Sequence, residues 1–390
     1  MATRPARFPI TVRLKLFGES PDCFNPYMHR PNTFLPGLRG RATAALLAVA
    51  TVATLGLSGC SNGSDAPVGT PDAPLPTEVP PGTTLIVADQ QERLQSALRL
   101  SGELDKLPFK IEFANFIGGP AILEAFRAGA ADVGQVGDVP PIHALAAGQD
   151  VPIIGSYQTN PQALKLAVAP GRAITKLTDL KGKKIAYAEG TAQQAAVLKA
   201  LTKAGLKPAD VQLVRLQLAE FLDAVRTGQV DVAPLIEPNV TRLLRTQGTS
   251  LIPDSETTGI YSGLAYLYAR RAVVQDPAKA AATRALVGAF VRAWNWTNTH
   301  REEWATKYYV EIQKVSADDA KRIIDSLGTY TFPHLDQQLI ARQQTTIDAI
   351  DAVGELPKKI KAADGFDLRF DAAVTEAVTA GGAAFAPATS

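Results

Sequence analysis

Residues 113–158 constrain this chain most, because they run two strands straight into two helix starts through glycine and proline. The stretch reads FANFIGGPAILEAFRAGAADVGQVGDVPPIHALAAGQDVPIIGSYQ. The apolar run Phe109–Ile117 predicts a strand, and Gly118-Gly119-Pro120 opens a helix behind it. Asp132–Val136 predicts the next strand, and Asp138-Val139-Pro140-Pro141 opens the next helix. Proline suits a first helical turn, whose N–H groups lack intrahelical partners anyway. Glycine just before it lets another molecule approach the backbone. Such a junction suits an anion, because unpaired N–H groups converge at the positive end of the helix dipole. In an open parallel sheet these loops gather at the carboxyl edge of the strands, where ligands bind. Taken singly, each is also what an ordinary short βα connection looks like. Two in succession, with a third at Gly190-Thr191, point to a built site.

The rest of the body repeats the alternation. Thr84–Ala88 reads as a buried strand, and Gln90–Leu100 as a helix with Leu94, Ala97 and Leu98 on one face. Pro120–Ala130 and Pro140–Ala147 are helices, and Val151–Tyr157 and Leu164–Ala169 are further strands. A second series follows. Lys184–Ala188, Val211–Leu216 and Val230–Ile236 are strands, with helices at Ala192–Ala204, Leu218–Thr227 and Asn239–Thr246. Tyr261–Ala269 reads as a strand crossing back, and four helices lie between Ala278 and Val353. Strands alternating with helices predict α/β units with largely parallel sheets. Two units joined by crossings near Pro170–Lys176 and Thr257–Gly263 would form two lobes with a hinge and a cleft. Trp294, Trp296, Trp304, Tyr308 and Tyr309 read as lobe-packing residues, and Arg270-Arg271 as a solvated strand end.

The motifs GGP-x-x-L-x-A-x-x-x-G-x-x-D-x-G and GD-x-PP-I-x-A-x-A-A-G resemble the solute-binding proteins of ABC importers for aliphatic sulfonates, taurine and nitrate. The resemblance continues through LTDLKGKKIAYAEGTAQQAAVLKALTKAGLKPADV and through AFRAGAADV and AVRTGQVDVAPLIEP, and spans roughly residues 83–328. It implies the type II periplasmic-binding-protein fold: two α/β lobes, a hinge and an inter-lobe cleft. On that reading residues 1–59 are a signal peptide and 60–82 an acylated cysteine with a flexible linker. Lobe 1 is then 83–172 and lobe 2 is 173–260, while 261–390 returns to lobe 1 with C-terminal helices.

Facing lobes would bring together the loops carrying Gln90, Gln91, Gly118, Gly119, Gly137, Asp138, Tyr157, Gln158, Gly190, Thr191, Glu237 and Asn239, the candidate ligand-binding residues. Nearly all are neutral hydrogen-bonding groups or bare backbone, which suits an oxyanion. The relatives hold sulfonate or nitrate oxygens in this manner, so the resemblance implies the same here. As a helix cap Asp138 would bond the N–H groups two or three residues on, but those are Pro140 and Pro141. Its carboxylate therefore lacks the usual local partner and is available to a ligand or to water. Where sulfonate-binding relatives commonly show Trp-Asp-Pro-Tyr, this chain has Ile236-Glu237-Pro238-Asn239. The acid stays and both aromatic flanks go, which favours a small or polar solute, or one with an ammonium group. Asp138 and Glu237 together would oppose a bare dianion such as phosphate.

An apolar run of sixteen residues, Ala42–Leu57, mostly Ala, Leu and Val, follows Arg30, Arg39 and Arg41 and ends in Leu57-Ser58-Gly59-Cys60. The run is shorter than the ~20 residues of a spanning helix, and fits a secretory signal. Its end resembles the lipobox of bacterial lipoproteins, which implies lipidation of Cys60. Translation from Met28 would leave a compact leader. Ser61–Pro81 lacks apolar periodicity and is dense in Pro, Gly, Ser, Thr and Asp, as in a disordered tether.

The formal charge of +2 depends on that leader. Residues 1–59 hold seven Lys/Arg and two acids; the remainder has 33 basic and 36 acidic residues. No strongly basic surface is left for nucleic acid. Two cysteines, Cys23 and Cys60, cannot build a disulfide framework or a zinc cluster, and the four histidines are scattered, so no metal or cofactor is expected. Related folds include enzymes with a nucleophilic cysteine. Processing at Cys60 would leave this chain without a free thiol, which excludes covalent thiol catalysis.

The expected function is that of a monomeric, lipid-anchored receptor on the outer face of the membrane or in the periplasm. It would capture an alkanesulfonate or taurine by cleft closure and present it to an ABC permease. Nitrate or a thiamine-precursor pyrimidine is the alternative solute, and an enzyme on the same fold is the rival class.

Overall fold

Short apolar runs bounded by glycine turns become strands, and the amphipathic segments between them become helices. In the computed structural model residues 73–387 are described; the expected signal peptide, Cys60 and most of the tether lie outside the described residues. The first sheet begins with β1 (Thr84–Gln90), β2 (Lys110–Phe116), β3 (Val133–Gly137) and β4 (Ile153–Gln158). They are linked by α1 (Arg93–Leu100), α2 (Gly119–Arg127) and α3 (Pro140–Ala146). The second sheet takes β5 (Lys165–Val168), β6 (Lys184–Tyr187), β7 (Gln212–Arg215), β8 (Val232–Leu235) and β9 (Ser250–Leu251). Its helices are α4 (Ala192–Lys203), α5 (Phe221–Arg226), α6 (Asn239–Leu244) and the single turn α7 (Asp254–Thr257). The chain then returns through β10 (Leu264–Ala269).

Both sheets follow one plan, with strand orders β2-β1-β3-β10-β4 and β7-β6-β8-β5-β9. In each, four strands run in one direction and the fourth in that order is antiparallel to them. That fourth strand comes from across a crossing: β10 enters the first sheet after the second is complete, and β5 enters the second directly after β4. The chain therefore forms the two-lobed α/β architecture expected above. The position of β5 corrects one detail. The sequence reading puts Leu164–Ala169 in the first lobe and the crossing at Pro170–Lys176, whereas β5 pairs with β8 and β9. The first crossing thus lies at residues 159–164. A strand's local pattern does not name its sheet; cross-strand packing does.

The two crossings touch. Thr159 N–H donates to the Gly263 carbonyl at 2.9 Å, and a Cβ at Gly263 would lie 2.4 Å from the Thr159 carbonyl oxygen. Glycine is required there by that contact and by its φ of +71°.

After β10 come α8 (Arg271–Gln275), α9 (Pro277–Thr299) and α10 (Arg301–Trp304). The expected helix over Arg301–Gln313 widens at Ala305–Val310 into a π turn. Then follow α11 (Ala317–Leu327), α12 (Gln337–Asp351) and α13 (Asp371–Ala380). Helices α9 and α13 pack on each other and on the first sheet, and α12 packs on α4 of the second lobe. Two apolar cores result. One fills the first lobe and continues through α12 and α4 to one face of the second sheet. The other covers the opposite face, from Ala186 and Ala233 to Phe221 and Leu243. The alternation along β6 explains the division: Ile185 and Tyr187 face the first core and Ala186 the second.

Arg270 and Arg271 are not a solvated end. The Arg270 guanidinium donates to the carbonyl of Ala131 and pairs at 2.7 Å with the buried Asp132, and Arg271 reaches Asp150 and Asp367.

Candidate functional site

The carboxyl ends of the two sheets face each other across a cavity of about 390 Å³. From the first lobe it is lined by Gln90, Gln91 and Arg93 behind β1, by residues 116–119 behind β2, and by Gln135, Val136 and Gly137 on β3. From the second it is lined by Thr191, Ala192 and Gln193 at the start of α4, by Leu218, and by Pro234–Asn239 behind β8 with Arg242 on α6. Tyr157, Tyr261, Tyr308 and Tyr309 also line it.

Helices α2 and α4 both start at this cavity. At α2, Gly118 has φ +85° and Pro120 sits in the first turn, as its ring requires. At α4, Thr191 is the cap: its hydroxyl accepts from the Gln194 N–H at 3.3 Å and donates to the Ala188 carbonyl at 2.7 Å. With Gln194 engaged, the first N–H groups of α4, on Ala192 and Gln193, have no partner within the helix. Gly119 allows the α2 and α3 starts to approach each other, since a Cβ there would meet the Pro140 ring at 2.1 Å.

A hydrogen-bonded wall runs from the α2 turn into the first lobe. The Gly118 N–H donates to Gln90 Oε1 at 3.1 Å, and Gln90 Nε2 donates to the Gln135 carbonyl at 3.0 Å. Gln135 in turn accepts from Trp294 Nε1 and donates to the Tyr157 hydroxyl. Beyond it lies Arg93, donating to the Tyr330 hydroxyl at 2.6 Å with its guanidinium 5.3 Å from the centre of the Trp294 ring. On the second lobe Arg242 donates to Asn239 Oδ1 and to the Gln313 carbonyl. Glu237 accepts from the Thr241 N–H at 3.0 Å, and burial pushes its carboxyl above the usual range against the pull of that N–H.

Of the candidates read from sequence, Gln90, Gln91, Gly118, Gly119, Gly137, Tyr157, Thr191, Glu237 and Asn239 line the cavity. Asp138, Gln158 and Gly190 stand off it. Asp138 Oδ2 accepts from Ser262 at 2.8 Å in the second crossing, and its buried Oδ1 has no partner among the described residues. Burial pushes its carboxyl up, partly countered by Lys199. Gln158 Oε1 accepts two bonds from Arg342, and Gly190 N–H donates to Gln194. The sequence reading misses Arg93, Gln135, Gln193, Arg242 and Tyr261 and takes Tyr308 and Tyr309 for packing only. The signal for Arg242 is spacing: it lies three residues past the candidate Asn239 in α6, one helical turn on the same side, whereas Arg93 opens α1 behind a strand end and has no such signal.

At the back of the cavity a polar chain joins the lobes. His143 Nε2 of α3 donates to Gln194 Oε1 of α4 at 2.9 Å, and Glu355, behind α12, accepts from Gln194 and from the Tyr187 hydroxyl. Burial pulls the His143 imidazolium below its ordinary pKa of 6.5, against the Gln194 bond and the Glu355 charge. A histidine lowered on folding favours the native state most when neutral, so its contribution is full above pH 6.5 and lost as pH falls. We expect the melting temperature to drop between pH ~7 and ~5 and His143→Gln, which keeps a donor, to flatten that drop. An unchanged slope in the variant would exclude this histidine as the source.

The profile of the family described as NMT1/THI5 like matches residues 118–304. The aliphatic sulfonates-binding protein of Escherichia coli (strain K12) is 30% identical over 251 residues, 64% of this chain and 77% of that protein. The taurine-binding periplasmic protein of the same organism is 31% identical over 153 residues, 38% of this chain and 45% of that one. Among solved structures, the alkanesulfonate-binding protein from Xanthomonas axonopodis pv. citri bound to MOPS superposes with a TM-score of 0.67 at 25% identity, covering 74% of this chain and 99% of that one. A two-lobed α/β body with a cavity at the facing sheet edges, and relatives that are binding proteins over most of their length, identify this chain as an extracytoplasmic ABC-importer solute-binding protein of the sulfonate and taurine family, with the type II periplasmic-binding-protein fold.

Proposed function

We propose that this chain captures a small sulfonate between its lobes and delivers it to a membrane permease. The observation that carries the reading is the convergence of the α2 and α4 starts on one cavity with, among the described residues, no carboxylate but Glu237 on its wall. Three sulfonate oxygens spread one negative charge, and backbone N–H groups at positive helix ends stabilise such a charge without an ion pair. Each lobe supplies one of these helix starts, so a bound sulfonate bridges them. A ligand that contacts both lobes has differential affinity for the closed arrangement, which is what drives closure. The Leu-Ser-Gly-Cys60 sequence supports a lipid anchor, with residues 61–81 as the tether.

Calorimetric titration of the full-length chain tests this. Ethanesulfonate or taurine is expected to bind with Kd of about 1 μM or tighter, and nitrate, smaller and unable to span the helix starts, at least about tenfold more weakly. Absence of binding by every sulfonate tried would remove the reading. In the same expression host, Cys60→Ser is expected to move the protein from the membrane fraction to the soluble one; retention would remove the anchor.

A further inference from the structure

We infer that Gln194 is a positioning residue for solute capture: through it, His143 and Glu355 on the first-lobe side seat the turn that opens α4. This rests on the reading of the α2 and α4 starts as the sulfonate site.

The Gln194 carboxamide is fully engaged. It is buried, its Oε1 accepts from the Gly190 N–H at 2.8 Å and from His143 Nε2 at 2.9 Å, and its Nε2 donates to Glu355. Its backbone N–H meets the Thr191 hydroxyl. One residue therefore holds the Gly190-Thr191 turn at both of its positions. That turn sets the aim of the first N–H groups of α4, on the cavity-lining Ala192 and Gln193. A carboxamide presents either an acceptor or a donor, depending on a half-turn about its last bond. Two donors at the oxygen and a carboxylate at the nitrogen fix which way round it stands. With His143 and Glu355 gone, the Gly190 N–H alone opposes that half-turn.

Both of those partners come from across the cleft. His143 is on α3, which follows β3 of the first sheet. Glu355 lies behind α12, and the chain after it is fastened to the same side. The turn at Ala362–Gly365 packs on α3, and the Asp367 N–H donates to the Ile153 carbonyl of β4 at 3.0 Å. Glu355 also accepts from the Tyr187 hydroxyl at the end of β6, so it grips the second lobe at two points. Backbone packing marks the same seat. A Cβ at Gly137, the last residue of β3, would lie 3.1 Å from the Ala192 Cβ. One at Gly190 would lie 3.3 Å from the Pro120 ring and 3.8 Å from His143. The start of α4 thus fits a socket made by β3, α2 and α3. Separation of the lobes about the two crossings has to part these contacts. Closure then traps the solute and fixes the amide that orients the α4 donors. Because the fixing follows entry, it slows escape rather than speeding capture.

The test uses the full-length chain, ethanesulfonate, and the variants Gln194→Met, His143→Leu and His143→Gln. Gln194→Met and His143→Leu are expected to bind about tenfold more weakly, with the loss in the dissociation rate and the association rate within about twofold of wild type. His143→Gln keeps a donor for Gln194 and is expected to stay within about threefold of wild type. Amide exchange followed by mass spectrometry supplies an arm without solute. Residues 188–195 should exchange about tenfold faster in His143→Leu, although the substitution is in the other lobe, and near the wild-type rate in His143→Gln. A residue that only supports folding would not give this pattern of loss and rescue. His143→Leu keeps the test open if Gln194→Met does not fold. Wild-type dissociation and exchange in His143→Leu overturn the inference and leave the sulfonate reading standing, as does equal loss in both His143 variants. If ethanesulfonate does not bind the wild type, the sulfonate reading falls, and the exchange comparison alone decides whether the first lobe seats the turn.

Discussion

Alanine at position 119 is expected to lower both the stability of this protein and its affinity for solute. Its Cβ would lie 2.1 Å from Cγ and 2.5 Å from Cβ of Pro140, a ring that cannot rotate away. Pro140 is itself the buried first residue of α3, so relief requires the α2 and α3 starts to separate. Overpacking of this kind costs about 1–3 kcal/mol. The α2 start would move with it, and each charge-assisted bond it gives a sulfonate is worth about 1.5–3 kcal/mol. We expect a melting point lower by several degrees and an affinity lower by about tenfold to a hundredfold. Wild-type melting and wild-type affinity in Gly119→Ala would mean that these helix starts do not hold the solute.

Asp89→Ala is expected to have the second large effect. The side chain is fully buried at the end of β1, and its carboxylate bonds the N–H groups of Gln90, Leu94 and Gln95 at 2.7, 3.1 and 2.8 Å. It therefore caps α1 from three residues before the formal cap, Glu92, whose own side chain makes no capping bond. Between them Gln91 and Glu92 both hold φ of 56°, a conformation that non-glycine residues adopt at a cost of about 1 kcal/mol or more each. The carboxylate is what holds that turn in place. Burial pushes it above the ordinary carboxylate range even against those three N–H groups and Arg93. Removal strands three donors, and we expect a loss of about 3 kcal/mol or more in denaturant unfolding. Gln90, Gln91 and Arg93 all hang from this turn, so binding should fall with stability. A variant that binds normally at temperatures where it stays folded would show that the turn is structural only.

The sequence carries the alternation of strands and helices and the position of the glycine turns, because both are local. Gly118-Gly119-Pro120 and Gly190-Thr191 announce helix starts wherever they occur, and in the fold they line or adjoin the cavity. What the sequence withholds is direction over distance. The absence of an N–H at Pro140 and Pro141 does deprive Asp138 of a local partner, but the partner it finds, Ser262, lies 124 positions later. Arg93 and Arg242 look like any helical arginine until the opposite lobe is present. Tyr308 and Tyr309 are indeed packed residues, yet the π turn at Ala305–Val310 brings them to the cavity as well. That turn has no motif of its own in the sequence.

The placement of β10 bears on how this chain matures. Strands β3 and β4 do not pair with each other; β10 sits between them, antiparallel to both. A polypeptide emerging amino end first exposes β1 to β4 well before residues 264–269 arrive to close the gap. Until then β3 and β4 have open edges that invite pairing with another chain. The second lobe has no such wait, because β5 is made before its neighbours. Secretion thus delivers a finished rear half attached to an unfinished front half, and a helper that shields strand edges would act during that interval.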